Sequence, residues 1–588
     1  MHKLSLALIG AASIALASPA LAGPVEDFHA LMDDYWATQL KESPLLATSA
    51  GVKTYDAQLD ELSLAAMDRQ AALAQGFLDR LNAIPASALP AADQTNYAIL
   101  RRSLQNAVEG NRFGARQMLY STLGSYHDYY ASIGESQPFH DKADYENYLA
   151  RIGQVPDRMR SYGEISVKAA REGFVQPCVT LTGFPATISG NISADPAKSR
   201  FYAPFAGSKP ATVSQADWDS LKARAAALIR DRINPSYEAF AQLYATQLAS
   251  KCREGVAATA LPQGDEYYAY LVRNYTTTEM TPEQIHALGL SEVARIRAEM
   301  EQVASKAGFA SREAMIADMR TNPIWYVTSP EALLAASAAM AKTIDGKMPS
   351  LFTRLPRLPY GIRPMAAATA PGDTTARYQP GSPDAGVAGF YLVNTTKLDQ
   401  RPLWEIPALT VHEAVPGHHM QFATQQELEM PAWRKYGSYF TAFVEGWGLY
   451  SERLGIEMGL YDTPQKDMGR LGYEMWRASR LVVDTGIHSK GWTKDQAVAF
   501  MKDNTALTDA NIDAEVNRYI SVPGQALAYM IGKRKIEELR SRAEKTLADK
   551  FDVRRFHDAV LGQGAVPLDA LEAQIDAWIA SERARPPA

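Results

Sequence analysis

Three of the chain's ten histidines, His412, His418 and His419, fall within eight residues, and Glu413 stands directly after the first. A neutral imidazole is a good ligand for a divalent metal, and a carboxylate beside such a ligand can take a proton from the attacking water. The order resembles the H-E-x-x-H signature of zinc peptidases, where two histidines one helical turn apart reach the same ion and the glutamate is the general base. The spacing departs from it. Ala414-Val415-Pro416-Gly417 separates Glu413 from His418, four residues where the signature has two.

An unbroken helix would fail to bring the histidines together. Zinc–nitrogen bonds of about 2.0–2.1 Å require both rings at one point. His419 would share the face of His412 but stand two turns away, roughly 10 Å along the axis, and His418 would point elsewhere. Pro416 removes a backbone donor, Gly417 relaxes the backbone, and a bulge can absorb extra residues. If two residues loop out, His418 moves into the place of the second histidine. That geometry favours His418 as ligand. His419 is the alternative, or else supports the ligands or meets the substrate.

A catalytic zinc keeps an open position beside three protein ligands. Glu445 is the best third candidate, because a carboxylate among Phe443, Val444, Trp447 and Leu449 is costly to bury without a cation. Its neighbours Gly446 and Gly448 permit close backbone approach. Glu452 is the rival ligand, and pairing of Glu445 with Arg453 is the structural alternative.

The surrounding pattern is helical. Leu31, Met32, Tyr35, Trp36 and Leu40 recur at three-and-four spacing, as do Trp218, Leu221, Ala225, Leu228 and Ile229. Thr281-Pro282-Glu283-Gln284 combines an N-cap, a first-turn proline and a capping box, Ser329-Pro330-Glu331 has the same logic, and Thr493 with Gln496 forms another box. The fold class is mainly α. The exception is a Pro/Gly-rich stretch from Leu355 to Pro383, followed by Val387–Asn394, which reads as a strand. A lone strand needs partners. The expectation is a small β-ribbon whose edge lines a deep cleft and pairs with an extended peptide, with Phe390 and Tyr391 meeting the substrate.

Composition bounds the rest. Hydrophobic residues make up 46% of the 588, enough for a large core. A net charge of −6, evenly spread, gives a nucleic-acid partner no electrostatic footprint. Lys3, the apolar run Leu4–Ala17 and Ala20-Leu21-Ala22 form the three parts of a secretory signal peptide, with cleavage expected after Ala22. No other stretch is long and apolar enough to span a membrane. The expectation is a periplasmic or secreted chain with a single helical unit over residues 23–588, in two lobes around a cleft. Cys178 and Cys252 are the only cysteines. In an oxidising compartment they either pair or remain two buried thiols.

The segment His412-Glu413-Ala414-Val415-Pro416-Gly417-His418-His419-Met420-Gln421 resembles the hallmark of a bacterial family carried as a domain of unknown function, DUF885. The resemblance extends to Gly389-Phe390-Tyr391, Glu445-Gly446-Trp447-Gly448, Val483–His488, Arg518-Tyr519, and Pro523–Leu527 with Tyr529. That family is similar to helical gluzincin peptidases such as the carboxypeptidase Taq and oligopeptidase groups. The similarity implies His412, His418 and Glu445 as zinc ligands and Glu413 as the base. Amide hydrolysis also needs donors for the oxyanion, for which His488, Tyr519 and Tyr529 are candidates, and Arg518 is a candidate clamp for a substrate carboxylate. The bland alternative makes the tyrosines core residues and Arg518 a partner of Glu515. The implied activity is zinc-dependent hydrolysis of short peptides near the C-terminus. The alternatives are hydrolysis of another amide or ester, and a periplasmic zinc- or peptide-binding protein without turnover.

Overall fold

The computed structural model describes residues 23–122, 124–365, 370, 374–384 and 386–586. The proposed signal peptide, residues 1–22, lies outside them. Helices dominate, and they begin where the caps are written. Thr281 and Thr493 close full capping boxes with Gln284 and Gln496, and Ser329 accepts from the Ala332 amide. These contacts satisfy amides that a helix start leaves without intrahelical partners.

Among the described residues hydrophobic side chains form six clusters, two of them large. The larger gathers N-terminal helices such as Leu64–Asn82 and Ala91–Asn111 with most of the chain after residue 258. Its central helices are α1 (Pro282–Lys306), α2 (Ile406–Glu413), α3 (His418–Glu427), α4 (Thr441–Glu457), α5 (Pro464–Lys490) and α7 (Ala528–Leu547), while α6 (Asp509–Ser521) packs on α5 in a separate cluster with Trp476 and Val483. Helix α1 lies along α5, and α4 along α7. The smaller core is built from Leu59, Leu62 and residues 120–248, and includes Tyr148, Tyr162, Trp218 and Tyr237.

Cys178 and Cys252 are bonded across 74 residues of chain, at the end of this smaller unit. The cross-link restricts the unfolded chain, an effect worth about 2–4 kcal/mol. The double variant Cys178→Ser/Cys252→Ser should lose stability in that range, read as a lower denaturant midpoint with a somewhat steeper slope, because the unlinked chain unfolds to a more open state. A midpoint equal to that of the wild type would assign the bond no stabilising role.

The only sheet among the described residues has three strands, β1 (Tyr360–Pro364), β2 (Ala376–Gln379) and β3 (Gly389–Val393), in the order β1-β3-β2. β3 pairs in parallel with β1 and antiparallel with β2, placing Tyr391 opposite both Ile362 and Tyr378. This corrects one expectation from the sequence. The strand read at Val387–Asn394 is the middle strand, so both of its edges are already paired. The edge strand beside the candidate site is β2. Among the described residues no helix is long and apolar enough to cross a membrane.

Candidate metal centre

Helix α2 ends at Glu413 and α3 begins at His418, so all four intervening residues leave the helix rather than two. Ala414 and Gly417 take non-helical backbone angles, and the Val415–Pro416 peptide is cis. The loop is held at several points. The Gly417 amide donates to the Val411 carbonyl at 2.9 Å, the His419 amide to Ala414 at 3.0 Å, and the Trp447 indole to Pro416 at 2.7 Å. A Cβ on Gly417 would stand 2.0 Å from the His412 carbonyl oxygen, so no other residue fits without moving backbone. This excursion turns the chain back so that His418 meets His412, their ring centroids 4.7 Å apart and perpendicular.

Glu445 reaches the same point from α4. Its Oε2 is 3.7 Å from His412 Nε2 and 3.6 Å from His418 Nε2, and the three ligand atoms lie within 4.8 Å of one another. Ligands at about 2.0–2.2 Å in tetrahedral geometry stand roughly 3.4 Å from each other. The observed separations, too long for hydrogen bonds, therefore fit a shared metal ion well. Glycines allow the approach. A Cβ on Gly448 would lie 2.8 Å from the His412 ring, and one on Gly446 would lie 2.5 Å from the Gly532 backbone in α7. Burial works against the charge of Glu445, but the two histidines more than reverse this and hold its carboxyl well below the usual range.

Glu452, weighed from sequence as a rival ligand, stands behind His412 instead. His412 Nδ1 donates to Glu452 Oε1 at 2.8 Å, which leaves Nε2 as the nitrogen facing Glu445. Arg477 Nη2 lies 3.3 Å from the same carboxylate oxygen. Burial would lower the His412 pKa, but Glu445 and Glu452 together raise it to about 9. A carboxylate behind a ligating histidine fixes its tautomer, and losing such a partner costs about 10–100-fold in metal affinity. Glu452→Gln should show that loss in competition with a chelator of known affinity. Unchanged affinity would reduce Glu452 to a packing residue.

His419 is turned away. Its Nδ1 is 3.0 Å from the Tyr378 hydroxyl on β2 and its Nε2 3.0 Å from the Leu358 carbonyl, and burial pushes its pKa down to about 4. Both ring nitrogens are engaged, so the expected substrate contact is replaced by a bridge that ties α3 to the sheet. Tyr378 itself lines the cavity.

The cavity in front of the triad measures about 380 Å³. Its walls are residues 374–378 and 380, His412, Glu413, His418 and Glu445, and an aromatic and basic side from α5 to α7. The lining residues all lie after residue 373 and none belongs to the smaller core, so the cavity is not a cleft between the two large cores. Of the residues expected to act beyond the ligands, Glu413, Arg518 and Tyr529 line it. The others do not. His488 is fully buried, its Nδ1 accepting from the Ala258 amide at 2.8 Å and its Nε2 donating to the Tyr519 carbonyl at 3.0 Å. Burial pushes that ring's pKa down to about 4, and it has no N–H left for a substrate. The Tyr519 hydroxyl accepts from Trp476 and Arg480 and donates to Glu515 at 2.7 Å. Tyr391 is buried in the core under the sheet, and Phe390 packs outside the cavity against Arg363. The Arg518 fork grips Glu515, and its Nη1 donates to Gln525 at 2.7 Å.

The sequence profile of one bacterial family matches residues 44–575. The chain belongs to that family, the bacterial proteins of unknown function DUF885. No curated protein matches it. Among solved structures, "the putative lipoprotein from Colwellia psychrerythraea" is 26% identical, with a TM-score of 0.90 over 95% of this chain and 100% of that one. "A putative lipoprotein of unknown function from Shewanella oneidensis" is 19% identical and shares the fold, with a TM-score of 0.70 over 94% of this chain and 99% of that one.

In this DUF885 chain, sequence reasoning missed Arg477 and Arg480, which line the cavity one turn after Tyr473 and Trp476 respectively on α5. A signal was present. Two arginines three apart beside Tyr473 and Trp476, in a stretch to Val483 whose only carboxylate is Glu474, cannot be buried without further anionic partners.

Proposed function

We propose that this protein is an exported, zinc-dependent peptidase that hydrolyses short peptides. The observation that carries the reading is the convergence of His412, His418 and Glu445 on one point, with Glu413 on the wall of the same cavity. Two imidazoles and a carboxylate are the donor set of many catalytic zinc sites, and three protein ligands leave a position open. When bound, the ion would polarise the substrate carbonyl and bring the pKa of water down to about 7. Glu413 takes the proton from the attacking water and passes it to the leaving amine. Tyr529, the one expected oxyanion donor on the cavity wall, offers its hydroxyl to the developing charge. The peptide lies along β2, whose residues 376–378 form the facing wall.

The size of the cavity supports a small substrate. At about 380 Å³ it stands near the lower end of the 300–1,000 Å³ typical of ligand pockets, too small for a folded protein. Export is supported by the three-part pattern in residues 1–22 and by relatives described as putative lipoproteins. A binding protein without turnover has no use for a general base beside a ligand, which favours the enzyme.

The deciding experiment is digestion of a mixed library of short peptides by the purified protein, with and without a chelator, read by mass spectrometry. Chelator-sensitive cleavage is expected. An intact library after incubation with the zinc-loaded protein would reject the peptidase.

A further inference from the structure

The wall of the cavity opposite the sheet carries a buried charge imbalance. Arg480 of α5 and Arg518 of α6 both close on the single carboxylate of Glu515. Arg480 Nε donates to the Tyr519 hydroxyl at 3.0 Å and Nη2 to Glu515 Oε2 at 3.1 Å. Arg518 donates to both oxygens of Glu515. Arg477, the third guanidinium on this wall, stands against Glu452. Glu413 and Glu445 face the metal side of the cavity. Two cations therefore share one anion.

Two guanidinium nitrogens on this wall have no hydrogen bond, Arg477 Nε and Arg480 Nη1, and the second belongs to the unbalanced pair. Arg480 is only 3% exposed, and its Nη1 is buried without any hydrogen bond. A guanidinium nitrogen removed from water and left unbonded is costly, and a buried net charge is costlier still. Its other faces are occupied by rings: Trp476 with its centroid 4.6 Å from the guanidinium carbon, and Tyr529 at 4.4 Å. Arg480 and Tyr529 both line the cavity, so a ligand held there lies beside this guanidinium. What both deficits ask for is the same thing, an anion with planar acceptor oxygens.

We propose that Arg480, backed by Arg518, is the carboxylate-recognition residue of the cavity, and that its ligands are short peptides carrying a free carboxylate at that end. The proposal deepens the peptidase reading of the same site and rests on it for the word peptide. It moves the contact from Arg518, whose fork is filled by Glu515 and Gln525, to Arg480, whose Nη1 is open. The incoming carboxylate would turn a two-to-one cluster into a two-to-two cluster and satisfy the unbonded Arg480 nitrogen. The same chemistry is offered by a C-terminal carboxylate and by an aspartate or glutamate side chain.

Four matched peptides separate these sources: the same short sequence ending in Glu or Gln, each as free acid and as amide. Cleavage is followed as kcat/KM with the zinc-loaded protein, and binding by calorimetry with the zinc-loaded Glu413→Gln variant. A hydrogen bond to a charged group predicts about 10- to 100-fold tighter binding for the peptides with the right carboxylate. Preference for acid over amide assigns the C-terminus, and preference for Glu over Gln assigns the side chain. Arg480→Lys, which keeps the charge but removes the terminal fork, should erase the preference with zinc content unchanged. Equal binding of all four peptides by the wild-type binding surface overturns the proposal, whether or not the lysine variant folds. Carboxylate-selective binding with no cleavage would instead sink the peptidase reading alone, and cleavage without selectivity would sink the proposal alone.

Discussion

Glu413→Gln should keep its metal and lose its turnover, with kcat falling about 10²–10⁴-fold if the carboxylate is the general base. The amide has the same shape and can accept a hydrogen bond, but it cannot take a proton from water or return one to an amine. The structure makes this substitution mild in every other respect. Glu413 is the last residue of α2, lines the cavity, and is not one of the three converging ligand atoms. Zinc content, melting temperature and peptide binding should therefore stay at wild-type levels while hydrolysis collapses. That separation is the informative part, because loss of the metal would also abolish activity and would say nothing about the base. Metal analysis and kinetics on the same preparation give the answer. Full activity with full zinc occupancy would remove Glu413 from the chemistry.

The helical class and the helix starts were legible because they depend on local chemistry. Thr281, Ser329 and Thr493 cap the helices they were expected to cap. The break between Glu413 and His418 was legible in kind, since proline and glycine cannot sit quietly inside a helix, but its extent was not. Four residues leave the helix, stabilised by the indole of Trp447 on α4, a contact 31 residues away that no local pattern encodes. The sheet was harder. The β-branched and aromatic run of β3 announced a strand, yet β1 and β2 lie in the Pro/Gly-rich stretch, where pairing with β3 overrides weak propensity. The Arg518–Glu515 pair, one turn apart on α6, was legible as the structural alternative, whereas the role of Glu452 turned on which base its carboxylate meets across helices. Such pairings are set by packing, so spacing could name the residues without saying which faced the cavity.

The largest structural consequence should follow from removing a ligand. His412→Ala, His418→Ala and Glu445→Ala should each lower metal affinity by more than the 10–100-fold that a supporting partner costs, since each removes one of three donors. His419→Ala is the control that tests the fold of the loop. An unbroken helix would give the second donor to His419, and the observed excursion gives it to His418 instead, with His419 bridging Tyr378 and Leu358. His419→Ala should thus retain metal and lose stability, about 1–3 kcal/mol for the partners left unsatisfied next to the sheet. His418→Ala should do the reverse, emptying the site with little change in the metal-free fold, because its Nδ1 makes no hydrogen bond and its Nε2 is 3.6 Å from Glu445, beyond hydrogen-bond reach. Metal content and melting temperature measured with and without chelator on all four variants resolve the two histidines independently. If the His419 variant comes out metal-free and the His418 variant metal-loaded, the ligand assignment and the loop geometry behind it are both wrong.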